Sequence, residues 1–169
     1  MPDYNAQHTR SGVSIVYWLS LSVVVVLIDQ ITKLWVGHGF GYGESKAVTD
    51  FFNLVLVYNS GAAFSFLSDA GGWQRWLLSA VAVAASVWII WLLSRHAHQR
   101  LFSCALALIL GGALGNLVDR VMYGYVVDFL DFYWGAHHFP AFNVADSAVS
   151  CGAALLLWDG FTKNIGVQK

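Results

Sequence analysis

Residues 101–120 decide how the rest of the chain is interpreted, and they read LFSCALALILGGALGNLVDR. No charged residue precedes Asp119 in this stretch, so residues 101–118 approach the length of roughly 20 apolar residues that a membrane-spanning helix needs. Gly111 and Gly115 form a G-x-x-x-G pair, a spacing that lets a second helix pack closely. We therefore predict a transmembrane helix that packs tightly against a neighbouring helix.

Three further stretches have the length and composition of membrane spans. The chain has 169 residues, of which 57% are hydrophobic and 11% are charged, whereas soluble domains carry about 25% charged residues. We predict an all-α membrane protein in which residues 1–169 form a single membrane domain with four transmembrane helices. The predicted spans are 13–36, 73–93, 101–118 and 142–161, and the external segments are 37–72 and 119–141.

The net charge and the positions of basic residues limit the partners and predict the orientation. A formal net charge of −1 argues against nucleic acid as a partner, because binding phosphates requires a basic surface. The link between the second and third spans contains Arg95 and Arg100 and no acidic residue. Short loops rich in Lys and Arg stay in the cytoplasm, so we place both termini there. Residues 51–58, on the outer side, are rich in β-branched and aromatic side chains and predict a short strand.

Asp128 and Asp146 are the two carboxylates that most need a chemical explanation. Asp128 lies in the apolar run 125–130 without a cation beside it in the sequence, a setting that raises the pKa of a carboxyl group. Asp146 follows Asn143 by three residues where the fourth span begins, and a helix N-terminus favours the ionised form. The third span runs outward and the fourth returns, so both carboxyl groups lie near the outer surface. Two carboxyl groups in different charge states can act as acid and base.

A purely structural role is the alternative for most of these polar residues. Two pairs have the spacing of a capping box or of an ion pair on one helix; they are Asn143 with Asp146, and Asp29 with Lys33. For Asp119 and Arg120, which lie three and four residues after Asn116, the structural alternative is an interfacial ion pair or an arginine that extends to the membrane surface. Asp131, three residues after Asp128, is expected to face water.

Other chemistries lack their motifs. His137 and His138 are adjacent, so they point apart on any regular element and make a poor metal pair, and no H-E-x-x-H motif occurs. The sequence predicts neither a metal nor a cofactor. One rival function is a proton-coupled transporter, which needs acids spread through the membrane depth, whereas the acids of this chain gather at one face. The other is an assembly factor whose aspartates only cap helices and form ion pairs.

Five sequence blocks together resemble the lipoprotein signal peptidase family, also called signal peptidase II. They follow the family's order between residues 21 and 159. They read DQITK at 29–33, NSGAAF at 59–64, GGALGNLVDR at 111–120, VVDF at 126–129 and FPAFNVADS at 139–147.

The resemblance implies four transmembrane helices with a small external β-like cradle and a short surface helix. It also implies an aspartic endopeptidase in the bacterial inner membrane, with its active site near the outer face and a catalytic dyad at Asp128 and Asp146. The implied substrates are prolipoproteins, cut immediately before a cysteine that carries a diacylglyceryl group.

The resemblance further assigns residues to the pocket of the family. The positions that contact substrate or the inhibitor globomycin are matched by Asn59, Gly111, Asn116, Arg120 and Asn143. A supporting, structural role is expected for Asp29, Lys33 and Asp119. The implied partners are prolipoproteins and membrane lipids.

Overall fold

The structure is a computed structural model that describes residues 14–61 and 71–167. Four helices in these residues are long and apolar enough to cross a membrane. They are α1 Ile15–Gly39, α2 Gln74–His96, α3 Arg100–Met122 and α4 Val144–Val167. The four predicted spans are therefore confirmed, with ends that differ by a few residues. The largest consequence is at α3, which continues past residue 118 and includes Asp119 and Arg120 in the helix.

Helix α3 is the central helix of the bundle and packs against α1, α2 and α4. Half of its spanning window is buried inside the protein, compared with 17–22% of the windows of the other three helices. The glycines of α3 explain this central position, because they let two neighbouring helices approach its backbone.

The face of α3 that meets α1 carries the predicted G-x-x-x-G pair. A Cβ atom at Gly111 would lie 2.6 Å from the Cβ of Val25 and 2.9 Å from the carbonyl oxygen of Ser22. A Cβ atom at Gly115 would lie 2.7 Å from Oδ2 of Asp29. The predicted close approach of a second helix is thus confirmed, and that helix is α1.

The face of α3 that meets α4 depends on two other glycines. A Cβ atom at Gly112 would collide with the carbonyl oxygen of Ala145, and one at Gly152 would lie 2.6 Å from the carbonyl oxygen of Ala105. The first of these contacts brings the N-terminal turn of α4 directly against α3.

A small antiparallel sheet lies against α1 and α3. Its strands, in spatial order, are β1 Ser45–Thr49, β2 Phe52–Asn59, β3 Val126–Trp134 and β4 His137–His138. The strand predicted at 51–58 is confirmed as β2, and the sheet corresponds to the β-like cradle. The described parts of the external segments contain no helix other than the ends of α1 and α3, and residues 62–70 lie outside the described residues, so the surface helix stays a prediction.

Backbone hydrogen bonds hold β3 beside the start of α4. The N–H groups of Phe129 and Leu130 donate to the carbonyl oxygen of Phe142 at 3.0 and 2.8 Å, and the N–H of Phe142 donates to Leu130 at 3.1 Å. Phe142 lies two residues before the start of α4, so this bridge closes the external excursion that separates Asp128 from Asp146. The two aspartates, which topology alone placed on one side of the membrane, are thereby brought to one location.

Replacing Gly112 by alanine tests the contact between α3 and α4. The added methyl group meets the backbone of Ala145 rather than a flexible side chain, and overpacking of this kind costs about 1–3 kcal/mol. We expect the Gly112→Ala variant to unfold at a lower temperature in detergent than the wild type. The matched control is Gly160→Ala in α4, where a Cβ atom meets nothing within 4 Å; an equal loss in the control would contradict the packing argument.

Candidate active site

One cavity of about 450 Å³ contains both of the aspartates singled out from the sequence. Asp128 lies on β3 and is only 3% exposed, and Asp146 lies in the first turn of α4. The other polar residues that line the cavity are Asn59, Asn116, Arg120, Ser147 and Ser150. The structure therefore brings together most of the residues that the sequence assigned to a pocket.

Asn143 connects the two aspartates. Its Nδ2 donates to Oδ1 of Asp128 at 2.7 Å, and its Oδ1 accepts the backbone N–H of Asp146 at 2.9 Å. In return, the backbone N–H of Asn143 donates to Oδ2 of Asp146 at 3.3 Å. This reciprocal pattern is the predicted capping box. The cap and the contact with Asp128 are made by the same buried side chain, so capping and site assembly occur together.

Two further asparagines donate to the carboxyl groups. Nδ2 of Asn116 on α3 donates to Oδ1 of Asp146 at 2.8 Å. Nδ2 of Asn59, at the end of β2, donates to Oδ2 of Asp128 at 3.1 Å. Both aspartates are thus held by neutral amide donors, which fix their orientation without supplying a full positive charge at hydrogen-bond distance.

The environment of Asp128 raises the pKa of its carboxyl group to about 7. Burial is the main cause, because it penalises the charged form, and the nearby carboxylate of Asp146 adds to the effect. The hydrogen bonds from Asn59 and Asn143 oppose the shift, as does the charge of Lys33. Below neutral pH, Asp128 therefore carries a proton that it can donate.

Arg120 connects α3 to the segment that follows β2. Its Nη2 donates to the carbonyl oxygen of Gly61 at 3.1 Å, and its Nη1 donates to the carbonyl oxygen of Asn116 at 3.4 Å. The alternative of an ion pair between Asp119 and Arg120 is wrong, because Asp119 turns away from the cavity and pairs with Lys33 at 2.9 Å. The guanidinium is left to line the cavity.

The predicted ion pair between Asp29 and Lys33 is confirmed, with Nζ 2.8 Å from Oδ2. It belongs to a larger buried cluster that includes Asp119. Sequence reasoning missed Gln30, whose Nε2 donates to Oδ1 of Asp119 at 2.9 Å and to Oδ2 of Asp29 at 3.2 Å. The block DQITK contained this residue, but its neighbours on α3 are set by packing and not by local spacing.

Two residues are placed differently from expectation. Asp131 was expected to face water but is 8% exposed, because it lies opposite Asn53 in the sheet. Its Oδ2 accepts from Nδ2 of Asn53 at 2.9 Å, and its Oδ1 lies 2.9 Å from Nδ1 of His138.

Gly111, assigned to the substrate pocket, lies at the interface of α1 and α3 and not among the cavity residues, which favours its packing role.

The apolar wall of the cavity is the other feature that sequence reasoning missed. It is formed by Val126, Phe139, Pro140, Ala141, Phe142, Val149 and Cys151. Four of these residues precede α4 in the block FPAFN, which is the signal that could have identified them. In the described part of the chain, no three His, Cys, Asp or Glu side chains come together as a metal site.

A family model described as signal peptidase (SPase) II matches residues 21–162, a range that contains both aspartates. The chain belongs to the signal peptidase II family. This membership makes the protein a peptidase, and therefore a hydrolase, with a multi-pass membrane architecture.

This signal peptidase II family member is also similar, over nearly its whole length, to individual relatives and to solved structures. The lipoprotein signal peptidase of Paraburkholderia phymatum is 60% identical over 158 residues, which are 94% of this chain and 95% of the relative. That of Burkholderia cenocepacia is 61% identical over 151 residues, or 89% and 91%. A solved bacterial membrane enzyme matches with a TM-score of 0.81 and 30% identity over 92% of this chain and 93% of that one. A second has a TM-score of 0.74 and 31% identity over 86% and 92%.

The raised pKa of Asp128 predicts how stability depends on pH. Between the ordinary value of 3.8 and about 7, the folded state holds a proton on Asp128 that the unfolded state releases. The contribution of this group is therefore present below pH 4 and is lost as the pH rises through 7.

The measurement is the unfolding temperature in detergent at a series of pH values between 4 and 8. We expect the wild type to lose stability over this range relative to the Asp128→Asn variant, whose amide does not titrate. Identical pH profiles for the two proteins would contradict the raised pKa.

Proposed function

We propose that Asp128 and Asp146 are the catalytic pair with which this signal peptidase removes signal peptides from prolipoproteins. The observation that carries the proposal is that both aspartates line one cavity and are bonded to the same buried side chain, Asn143. A hydrolytic pair needs one group that accepts a proton from water and one that donates a proton to the substrate. The buried setting of Asp128 favours the protonated acid that can donate, whereas Asp146 lies at a helix N-terminus, where a carboxylate that can accept a proton is favoured.

In the proposed mechanism Asp146 begins as the carboxylate and Asp128 as the acid. Asp146 accepts hydrogen bonds from Asn116 and from the backbone of Asn143 at the N-terminus of α4, which favours its charged form. It takes a proton from a water molecule, whose oxygen attacks the scissile carbonyl while Asp128 protonates the developing oxyanion. When the tetrahedral intermediate collapses, Asp146 gives its proton to the leaving amine and Asp128 recovers its own.

The shape of the cavity supports a lipid-modified substrate. Its lining continues from Asp146 along α4 to Val149 and Cys151, which belong to the membrane-spanning helix. A cavity that reaches from the carboxyl groups into the hydrocarbon region suits a cysteine carrying a diacylglyceryl group, with its acyl chains against the apolar wall. We propose cleavage immediately before that cysteine, the polar contacts to the peptide coming from Asn59, Asn116 and Arg120. Asn143, assigned to the pocket by the resemblance, is fully buried, and we propose that it holds the two aspartates and does not contact the peptide.

We further propose that the protein is a single membrane domain in the bacterial inner membrane with both termini in the cytoplasm. Arg95 lies in the last turn of α2 and Arg100 begins α3, so both flank the short connection between these helices, which the positive-inside rule places in the cytoplasm. The sheet and the cavity follow the opposite helix ends and are then at the outer face, where the cleavage site of an exported substrate is located.

Amide substitutions test the catalytic pair. We expect Asp128→Asn and Asp146→Asn each to reduce kcat for a diacylglyceryl-modified prolipoprotein by about 10³-fold, since a positioned acid or base contributes about 10²–10⁴. The assay is cleavage in detergent, followed by mass analysis of both products.

The matched control for these variants is Asp159→Asn. Asp159 is also largely buried on α4 but pairs with Lys163, far along the helix from the cavity. The Asp159→Asn variant should cleave the substrate at nearly the wild-type rate. Near-normal turnover by a folded Asp128→Asn or Asp146→Asn variant would disprove the proposed pair.

Replacing Arg120 tests its role in binding. Loss of a charged hydrogen bond costs about 1.5–3 kcal/mol, so we expect Arg120→Gln to raise KM by about tenfold or more and to change kcat less. Arg75→Gln is the control, because Arg75 donates to the carbonyl oxygen of Val121 outside the cavity. An unchanged KM for Arg120→Gln would exclude a substrate contact.

A further inference from the structure

The buried ammonium of Lys33 lies behind the two cavity aspartates. Lys33 is 4% exposed, and its Nζ lies 2.8 Å from Asp29 and 2.9 Å from Asp119. Asp29 and Lys33 belong to α1, and Asp119 belongs to α3. The ammonium therefore joins two helices through two carboxylates that are themselves buried.

Each of these carboxylates also holds the backbone beside one cavity aspartate. Oδ1 of Asp29 accepts the N–H of Ala145 at 2.9 Å, and Ala145 immediately precedes Asp146. Oδ2 of Asp119 accepts the N–H of Val127 at 3.0 Å, and Val127 immediately precedes Asp128. The backbone of α4 and the backbone of β3 are thus both attached, through one carboxylate each, to a single ammonium group.

A third contact of Lys33 reaches Asp146 through a side chain. Its Nζ donates to Oδ1 of Asn116 at 2.9 Å, and Nδ2 of the same amide donates to Asp146 at 2.8 Å. An ammonium has donors only, so it holds the oxygen of the Asn116 amide toward itself and the NH₂ group toward Asp146. Nδ2 of Asn143 also donates to this oxygen, at 3.2 Å, so Lys33 supplies the shorter of the two bonds that orient the amide.

We propose that Lys33 is a positioning residue for the hydrolysis, setting the spacing and orientation of Asp128 and Asp146 through Asp29, Asp119 and Asn116. This inference rests on the catalytic role proposed for the two aspartates. Lys33 does not line the substrate cavity, so its positioning effect is transmitted by its three partners, in addition to the effect of its charge on Asp128.

The charge balance explains why an ammonium is required at this position. Without it, two carboxylates on α1 and α3 repel each other in a poorly solvated site, and each carries a backbone segment with it. Displacing reacting groups by about 1 Å costs about 10²-fold in rate. The separation between the aspartates is therefore sensitive to Lys33 even while the helices remain folded.

The first test replaces Lys33 by methionine, which keeps the length and apolar stem of the side chain. For a diacylglyceryl-modified prolipoprotein we expect kcat to fall by about 100-fold, while KM stays within about twofold of the wild-type value. The matched control is Lys163→Met, which removes another i, i+4 pair between a lysine and an aspartate, remote from the cavity. The control should have the kcat and KM of the wild type.

A charge-balanced variant separates positioning from simple neutralisation. Lys33→Met combined with Asp29→Asn and Asp119→Asn removes the ammonium together with both carboxylates, while the new amide oxygens can still accept the two backbone N–H groups. We expect this variant to unfold at a temperature closer to wild type than the single variant and still to show a kcat at least about tenfold below wild type, since Asn116 keeps only the longer bond from Asn143.

The outcomes distinguish the inference from the function on which it rests. A normal kcat in either folded Lys33 variant overturns the positioning role. If Asp128→Asn and Asp146→Asn are inactive in the same assay, the proposal of the catalytic pair still stands. An equal loss in Lys163→Met overturns it as well. If neither Lys33 variant folds, Lys33 is a folding requirement and the separate positioning role is rejected.

Discussion

Near the C-terminal end of α1, the side chain of Lys33 is 3% exposed and its ammonium contacts Asp29 and Asp119 at 2.8 and 2.9 Å. A charge withdrawn from water in this way is tolerated only with close counter-charges and hydrogen bonds. The requirement fixes how α1 lies on α3, and Gly115 provides the space for the Asp29 carboxylate. The helices are thus docked in a register set by charge as well as by apolar packing.

Beside this buried ion cluster, the side-chain contacts to the two cavity aspartates come from asparagines. Neutral amides orient a carboxyl group, and at Asp128 their hydrogen bonds only partly offset the rise in pKa caused by burial and by Asp146. Asn143 fills this role most completely, because it caps α4, bonds to both aspartates and also donates to the carbonyl oxygen of Val127 at 3.2 Å. Local helix-end chemistry and the chemistry of the site therefore depend on one side chain.

Part of this arrangement could be predicted from the sequence. The spans follow from long uncharged stretches, and the capping box of Asn143 and Asp146 follows from a three-residue spacing, since both are local properties of the chain. Strand β3 could not be predicted in the same way. Its residues 126–129 are all buried, so they lack the polar–apolar alternation that identifies a half-exposed strand. The burial of Asp131 was missed for a related reason, because its partner Asn53 lies across the sheet.

By itself, then, the sequence determined four membrane-spanning helices, the unusual setting of Asp128 and Asp146 and, through its motif blocks, the family. These features depend on composition and on residues close together along the chain. The folded structure was needed to show that the helix packed against Gly111 is α1 and that Lys33 is linked to both aspartates. Those roles depend on contacts between α1, α3, β3 and α4, whose partners are far apart in sequence and meet only because a buried charge and the backbone groups beside it must all find hydrogen-bond partners.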